Sequence, residues 1–287
     1  MPAGSHRPDS GRALRIVAVY PSRRQRVRKG DFGRLIIAGG SERYAGCLAF
    51  CGLAALRAGA DLAIIVAPRR AADIAASYSP DLITVPCDST FPEPLIVGEL
   101  LSNADALVLG CGVVRTHSAH NALRAIIQQC TVPIVADAEA LHAIAEKPSV
   151  TSGKRILLTP NAGEFQTLTG RPWPRASEDR ARAVRATSKR YEAPVIVKGA
   201  EDYISDGNTV FVDREGSPYM TKGGYGDLLA GIAGAVLARG RTPLQAARVA
   251  AYLVGKAGRL ASQKYEEGTL ASDALAQIST AVALARR

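Results

Sequence analysis

Short runs of Val, Ile and Leu alternate along the chain with longer stretches whose apolar residues recur at helical spacing, the rhythm of repeated βα units. Strands are predicted at 35–38, 62–67, 82–85, 106–110, 133–136, 156–159 and 194–198. Several are apolar at every position, as strands covered on both faces must be. Helices are predicted at 45–59, 92–102, 118–129, 138–146, 162–169, 178–191, 226–239 and 243–262, and a hairpin at 203–212 turned by Asp206-Gly207-Asn208. Without repeats or linkers, the pattern predicts one doubly wound α/β domain, whose ligands should collect beyond the carboxyl ends of the strands.

Polar and glycine-rich residues punctuate those ends: Gly39-Gly40-Ser41, Gly110-Cys111-Gly112, Asp137, Thr159-Pro160-Asn161 and Lys198-Gly199. The most informative segment, Thr221-Lys222-Gly223-Gly224-Tyr225-Gly226-Asp227, opens an apolar helical run. Glycines let backbone N–H groups approach an anion, and the helix adds its positive end. An aspartate repels phosphate unless it has chemical work there. Taking a proton from an attacking hydroxyl while adjacent amides hold transferred phosphoryl charge is one such task. Favouring the helix dipole is the alternative, and the segment alone leaves both open.

Composition narrows the setting. The 287 residues suffice for one large domain, and the predicted setting is cytoplasmic: no apolar run reaches membrane-spanning length and MPAGSHRPDSGR has no signal-peptide core. Five cysteines without a C-x-x-C pair read as buried thiols. The net charge of +10 is concentrated at the start: residues 1–34 hold nine Lys and Arg against Asp9 and Asp31, so +7 there leaves only +3 elsewhere. Without interleaved aromatics this reads as a basic N-terminal arm over residues 1–28, not a nucleic-acid surface. Its apolar run from Leu14 to Tyr20 has the character of a further strand or an inter-subunit contact. His117 and His120 have no neighbouring acidic residue in sequence to complete a metal pattern.

From about Lys29 to Asp273 the order of motifs resembles the ribokinase-like superfamily and, within it, the ADP- or ATP-dependent NAD(P)H-hydrate dehydratases. KGDFG (29–33), GGSERYAGCLAFCGLAALRAGA (39–60) and EGTLASD (267–273) carry the narrower likeness. VLGCG, VADAEAL, TPNAGEFQTLTG, VKGAEDYISDG and GGYGDLLAG carry the broader one. The resemblance implies a ribokinase-like three-layer α/β/α sandwich with a mostly parallel central sheet, spanning 29–287. It also implies a lyase that uses ADP or ATP with Mg²⁺ to repair hydrated NADH or NADPH through a phosphorylated intermediate, in a homo-oligomer such as a tetramer. Asp227 is then the base, and the amides of Gly224, Tyr225 and Gly226 hold the phosphoryl group. Lys198, Gly199, Ala200, Glu201, Asp202 and Gly226 lie against the nucleotide. Cys47, Gly112, Asn161 and Asp227 touch the hydrated dinucleotide, with Gly112 letting backbone approach a pyrophosphate.

The chain departs from the family pattern at Tyr225 and Asp202, where Thr is usual, at Asn161 (His), Cys111 (Pro) and Glu139 (Asp). Asn161 and Glu164 also match the Asn-x-x-Glu with which ribokinase-like kinases organise Mg²⁺, making Glu164 a candidate ligand. A small-molecule kinase acting on a vitamin precursor or sugar, and a non-catalytic nucleotide-binding homologue, are the competing readings.

Overall fold

A computed structural model describes residues 19–286. Nine strands form one sheet in the order β3-β2-β1-β4-β5-β6-β7-β8-β9. They are β1 (Arg34–Ala38), β2 (Leu62–Pro68), β3 (Ile83–Cys87), β4 (Ala106–Leu109), β5 (Ile134–Ala136), β6 (Ile156–Leu158), β7 (Val195–Val197), β8 (Asp202–Ser205) and β9 (Val210–Asp213). Neighbours from β3 to β7 are parallel; β8 and β9 close the edge as the predicted hairpin, antiparallel to β7 and to each other.

Helices cover both faces, which is why the strands are apolar throughout. Leu35 and Ile37 of β1 point into one core with α1 (Gly46–Arg57), α2 (Arg69–Ser77), α8 (Tyr225–Ala238), α9 (Pro243–Tyr265) and α10 (Ala271–Ala285). Ile36 and Ala38 point into the other, with α3 (Pro94–Leu101), α4 (His117–Gln129), α5 (Glu139–Glu146), α6 (Ala162–Thr169) and α7 (Ser177–Tyr191). The predicted sandwich is therefore observed. Two helices, α2 and α10, were not anticipated. α2 is nine residues of RRAADIAAS with alanines as its apolar face, and α10 overlaps the EGTLASD motif and has only alanines as apolar residues among its first four.

Residues 14–18 of the Leu14 to Tyr20 run lie outside the described residues. Val19 and Tyr20 are buried; the Arg239 guanidinium donates to the Val19 carbonyl at 3.3 Å and lies 5.0 Å from the Tyr20 ring centroid. Arg23 stacks on Phe32 at 3.7 Å, so this part of the predicted arm is packed on the domain. KGDFG is a structural turn nearby: the Asp61 carboxylate accepts from Gly30 and Phe32 N–H groups at 2.9 and 3.0 Å, against the C-terminal end of α8. Among the described residues no helix is long and apolar enough to cross a membrane.

The chain order reverses between β1, which leads to β2, and its other neighbour β4. Beyond the strand ends at such a reversal is where ligands of open α/β sheets collect. The Gly40 N–H donates to the Cys111 carbonyl across this reversal at 2.7 Å, and the first turns of α1 and α8 bring Cys47 against Gly112 and Asp227 beside Cys111.

Candidate active site

Gly224 caps α8 with φ +101°, a conformation L side chains rarely adopt, and a Cβ there would lie 2.7 Å from that of Ala271. The turn is pinned from behind by Lys222, whose ammonium donates to the Glu267 and Thr269 carbonyls. The next three amides, on Tyr225, Gly226 and Asp227, precede the first intrahelical donor, the Leu228 N–H bonded to the Gly224 carbonyl at 3.0 Å, and stay available to an anion. Asp227 stands among them. Burial pushes its carboxyl up to about 7, and the nearby Asp137 carboxylate adds to the shift against the pull of Lys198. The Cys111 thiol, which donates to Asp137 Oδ2 at 3.7 Å, lies beside the Asp227 carboxylate and partly offsets the shift.

Three adjacent strand ends supply the opposite wall. Asp137 follows β5, Thr159 follows β6 and Lys198 follows β7. The Lys198 ammonium and the Thr159 hydroxyl both donate to Asp137 Oδ1 at 2.6 Å, and Glu164 Oε2 is 3.9 Å from the ammonium. Burial alone would disfavour a charged lysine, but Asp137 and Glu164 hold Lys198 above its ordinary value and therefore cationic. A Cβ at Gly226 would come within 3.3 Å of Lys198 Nζ, so the helix turn and the lysine face one space. A base, a fixed cation and a row of free amides around one crevice can deprotonate a hydroxyl and receive a phosphoryl group.

The sequence pattern of the NAD(P)H-hydrate dehydratases matches residues 35–280. The chain belongs to this family. It is 37% identical over 250 residues to the ADP-dependent (S)-NAD(P)H-hydrate dehydratase of Cenarchaeum symbiosum, covering 85% of this chain and 86% of that protein. It is also 37% identical to the bifunctional NAD(P)H-hydrate repair enzyme of Pyrobaculum aerophilum, covering 90% of this chain but 52% of that longer protein. Among solved structures, the fold matches the ADP/ATP-dependent NAD(P)H-hydrate dehydratase of Bacillus subtilis, co-crystallised with ATP and Mg²⁺, with TM-score 0.79. That match is at 23% identity and covers 95% and 96% of the two chains.

The family's motifs distribute unevenly around the site. Gly224, Gly226, Asp227 and Lys198 converge. Tyr225 contributes its amide only, because its ring is buried and its hydroxyl donates to the Leu270 carbonyl at 3.3 Å. Gly112, at φ +71°, packs so closely on α1 that a Cβ would lie 2.4 Å from Cys47 Sγ, which brings these two predicted substrate contacts together. Burial, reinforced by Asp227, raises the Cys47 thiol far above its usual range, so it is a neutral surface rather than a nucleophile.

The remaining predicted residues have partners of their own. Asn161 Oδ1 accepts from Gly163 and Glu164 N–H groups at 2.9 and 3.0 Å while Glu164 Oε2 accepts from Asn161 N–H at 2.8 Å, a reciprocal cap on α6. Glu201 accepts from Arg214 at 2.6 Å and from the Tyr203 hydroxyl at 3.0 Å. Asp202 Oδ1 accepts from Gly199 N–H at 2.9 Å, closing the turn after Lys198; burial, with the charge of Asp213, drives its carboxyl up to about 7. Gly199 and Ala200 are exposed on that turn.

The sequence pattern set Asp137, Thr159 and Cys111 at the ends of parallel strands but gave none of them a role in the site. His120 is not free for a metal: its ring nitrogens lie 2.6 Å from Glu139 and Glu146, in an ion-pair network with Arg115 and Arg124 beside a cavity of about 450 Å³.

Proposed function

We propose that the protein restores hydrated NADH or NADPH at the expense of ADP or ATP, with Asp227 as the base. Nucleotide phosphates lie between the α8 amides and Lys198, and the rest of the nucleotide runs along the turn from Lys198 to Asp202. Asp227 takes the proton from the hydroxyl of the hydrated nicotinamide ring, and the oxygen attacks the terminal phosphoryl group. The amides of Tyr225 and Gly226 stabilise the charge on the transferring phosphoryl, and loss of phosphate from one ring carbon with loss of a proton from its neighbour re-forms the ring double bond. The hydrated ring sits against Cys47 and Gly112, with Asn161 at its rim. One observation carries the reading. Asp227 alone combines a site at free helix amides, a proton affinity near neutrality and a carboxylate with no N–H partner among the described residues.

The hard oxygen donor Glu164, beside Lys198, would hold Mg²⁺ brought with the nucleotide, which leaves Asp227 free to act as the base. Bound there, Mg²⁺ offsets phosphate charge. Residues 29–287 act as the catalytic domain, in a cytoplasmic homo-oligomer, with residues 1–28 adding charge but no chemistry.

The test is to incubate the full chain with hydrated NADH, Mg²⁺ and either ADP or ATP while following nicotinamide absorbance. Nucleotide-dependent recovery of NADH is expected. Phosphorylation of a small hydroxymethyl compound without recovery of NADH would move the protein to the kinases of this fold.

A further inference from the structure

One donor set joins the proposed base, Asp227, to Cys111 and Asp137, to which the phosphoryl-transfer reading gives no chemical step. Cys111 Sγ, an Asp137 carboxylate oxygen and an Asp227 carboxylate oxygen all lie within 4.8 Å of one another. Each comes from a rigid element: the end of β4, the end of β5 and the first turn of α8. Cys111 is 1% exposed and Asp137 3%, and the Cys111 backbone is fixed by the Gly40 N–H at 2.7 Å. Asp137 is oriented as a ligand supported from outside: Oδ1 is saturated by Lys198 and Thr159 while Oδ2 faces Cys111 Sγ at 3.7 Å. No N–H group donates to the Asp227 carboxylate among the described residues.

We infer that Cys111, Asp137 and Asp227 form a binding site for a thiophilic divalent cation of the Zn²⁺ or Cd²⁺ class, and that its occupancy blocks the enzyme. With metal–sulfur bonds of about 2.3 Å and metal–oxygen bonds of about 2.1 Å, tetrahedral ligands stand roughly 3.5 Å apart, so the set has to contract by only about 1 Å. One sulfur and two oxygens leave a fourth position for water. The sulfur sets the selectivity: thiolate favours zinc-like ions, whereas Mg²⁺ demands an octahedron of oxygens and keeps much of its water. On binding, the Cys111 S–H bond breaks, its proton passes to solvent and the sulfur electron pair forms the metal bond. Asp227 then spends an oxygen on the metal and no longer accepts a proton from substrate.

Occupancy is read without turnover, so a failure of the dehydratase reading and a failure of this site are separable. The full chain is titrated with CdCl₂, following heat and the ultraviolet thiolate-to-metal charge-transfer band, then with ZnCl₂ as competitor. One equivalent per chain with a thiolate band is expected, displaced by Zn²⁺ and retained in excess Mg²⁺. Cys111→Ser should abolish the band and weaken binding at least about tenfold. Should that variant fail to fold, Asp227→Asn supplies the second test, weakening Cd²⁺ about tenfold while the thiolate band persists at saturation. The control Cys47→Ser/Cys51→Ser should bind as the parent does. Absence of binding, displacement by Mg²⁺, a band that survives Cys111→Ser, or one that vanishes only in the control overturns the site.

Discussion

Asp227 and Asp202 have nearly the same titration behaviour and opposite structural situations. Both carboxyls are pushed up to about 7, chiefly by burial and next by another aspartate. Asp202 sits at the antiparallel edge of the sheet and spends Oδ1 on the Gly199 N–H. Asp227 sits at the topological switch in the parallel centre, on a helix end with unclaimed amides, and has no N–H donor among the described residues. A shifted carboxylate marks desolvation; it becomes a base only when its oxygens are uncommitted and face a space a substrate can enter.

The largest effect that sharpens this contrast is at Asp227. Asp227→Asn should lower turnover by about 10²–10⁴-fold and leave ADP affinity within about twofold, read by steady-state kinetics and calorimetry. Near-normal turnover in a folded variant would remove Asp227 as the base.

Lys198→Met is next. It strips the cation from Asp137 and Glu164, and breaking such a buried pair costs on the order of 3 kcal/mol, measurable by urea unfolding, with nucleotide affinity falling as well. Unchanged stability would mean that the carboxylates find other partners.

Gly226→Val should follow, with ADP binding about tenfold weaker by calorimetry, or ~1.4 kcal/mol. Its cause is crowding, since the new Cβ would stand 3.3 Å from Lys198 Nζ; Gly226 is not among the glycines with positive φ, so backbone strain does not contribute. An unchanged dissociation constant would place the phosphates elsewhere.

The smallest effect is at Asp202. Asp202→Ala should cost about 1 kcal/mol through the lost Gly199 hydrogen bond. Asp202→Asn keeps an acceptor and removes a titration. A carboxyl whose folded value, near 7, exceeds its unfolded 3.8 binds its proton more tightly when folded. Its contribution is therefore full below the unfolded value and is lost as pH rises through about 7. The stability of Asp202→Asn relative to the parent should accordingly improve across that window, and a flat difference in melting temperature would contradict it. Asp202→Thr should leave ADP affinity unchanged across a magnesium series; tightening at low Mg²⁺ would put this carboxylate beside phosphate.

The sheet was largely legible because buried parallel strands are apolar runs and their ends carry glycine and polar punctuation. The order of βα units followed from local signals alone. α2 was missed because alanines give little amphipathic contrast, and α10 because its start was read as a motif. Within the site, Gly224 and Asp227 were readable from one contiguous turn. Asp137 was not, since its meaning comes from Lys198, which is 61 positions away and meets it only when β5 and β7 are two strands apart in one sheet. Asn-x-x-Glu at Asn161 is equally a capping box and a metal motif in sequence, and its hydrogen bonds are those of a cap. KGDFG, which helped identify the family, is a turn against the C-terminal end of α8.

The central claim is that proton removal belongs to the uncommitted aspartate. It is tested most directly by the pH dependence of NADH recovery from hydrated NADH at saturating nucleotide, for the parent and for Asp202→Asn. The account predicts that the rate rises with pH through an apparent value near 7 in both proteins, because Asp227 must lose its proton before it can accept one. Loss or displacement of that limb in Asp202→Asn would contradict it and assign the base to the edge of the sheet.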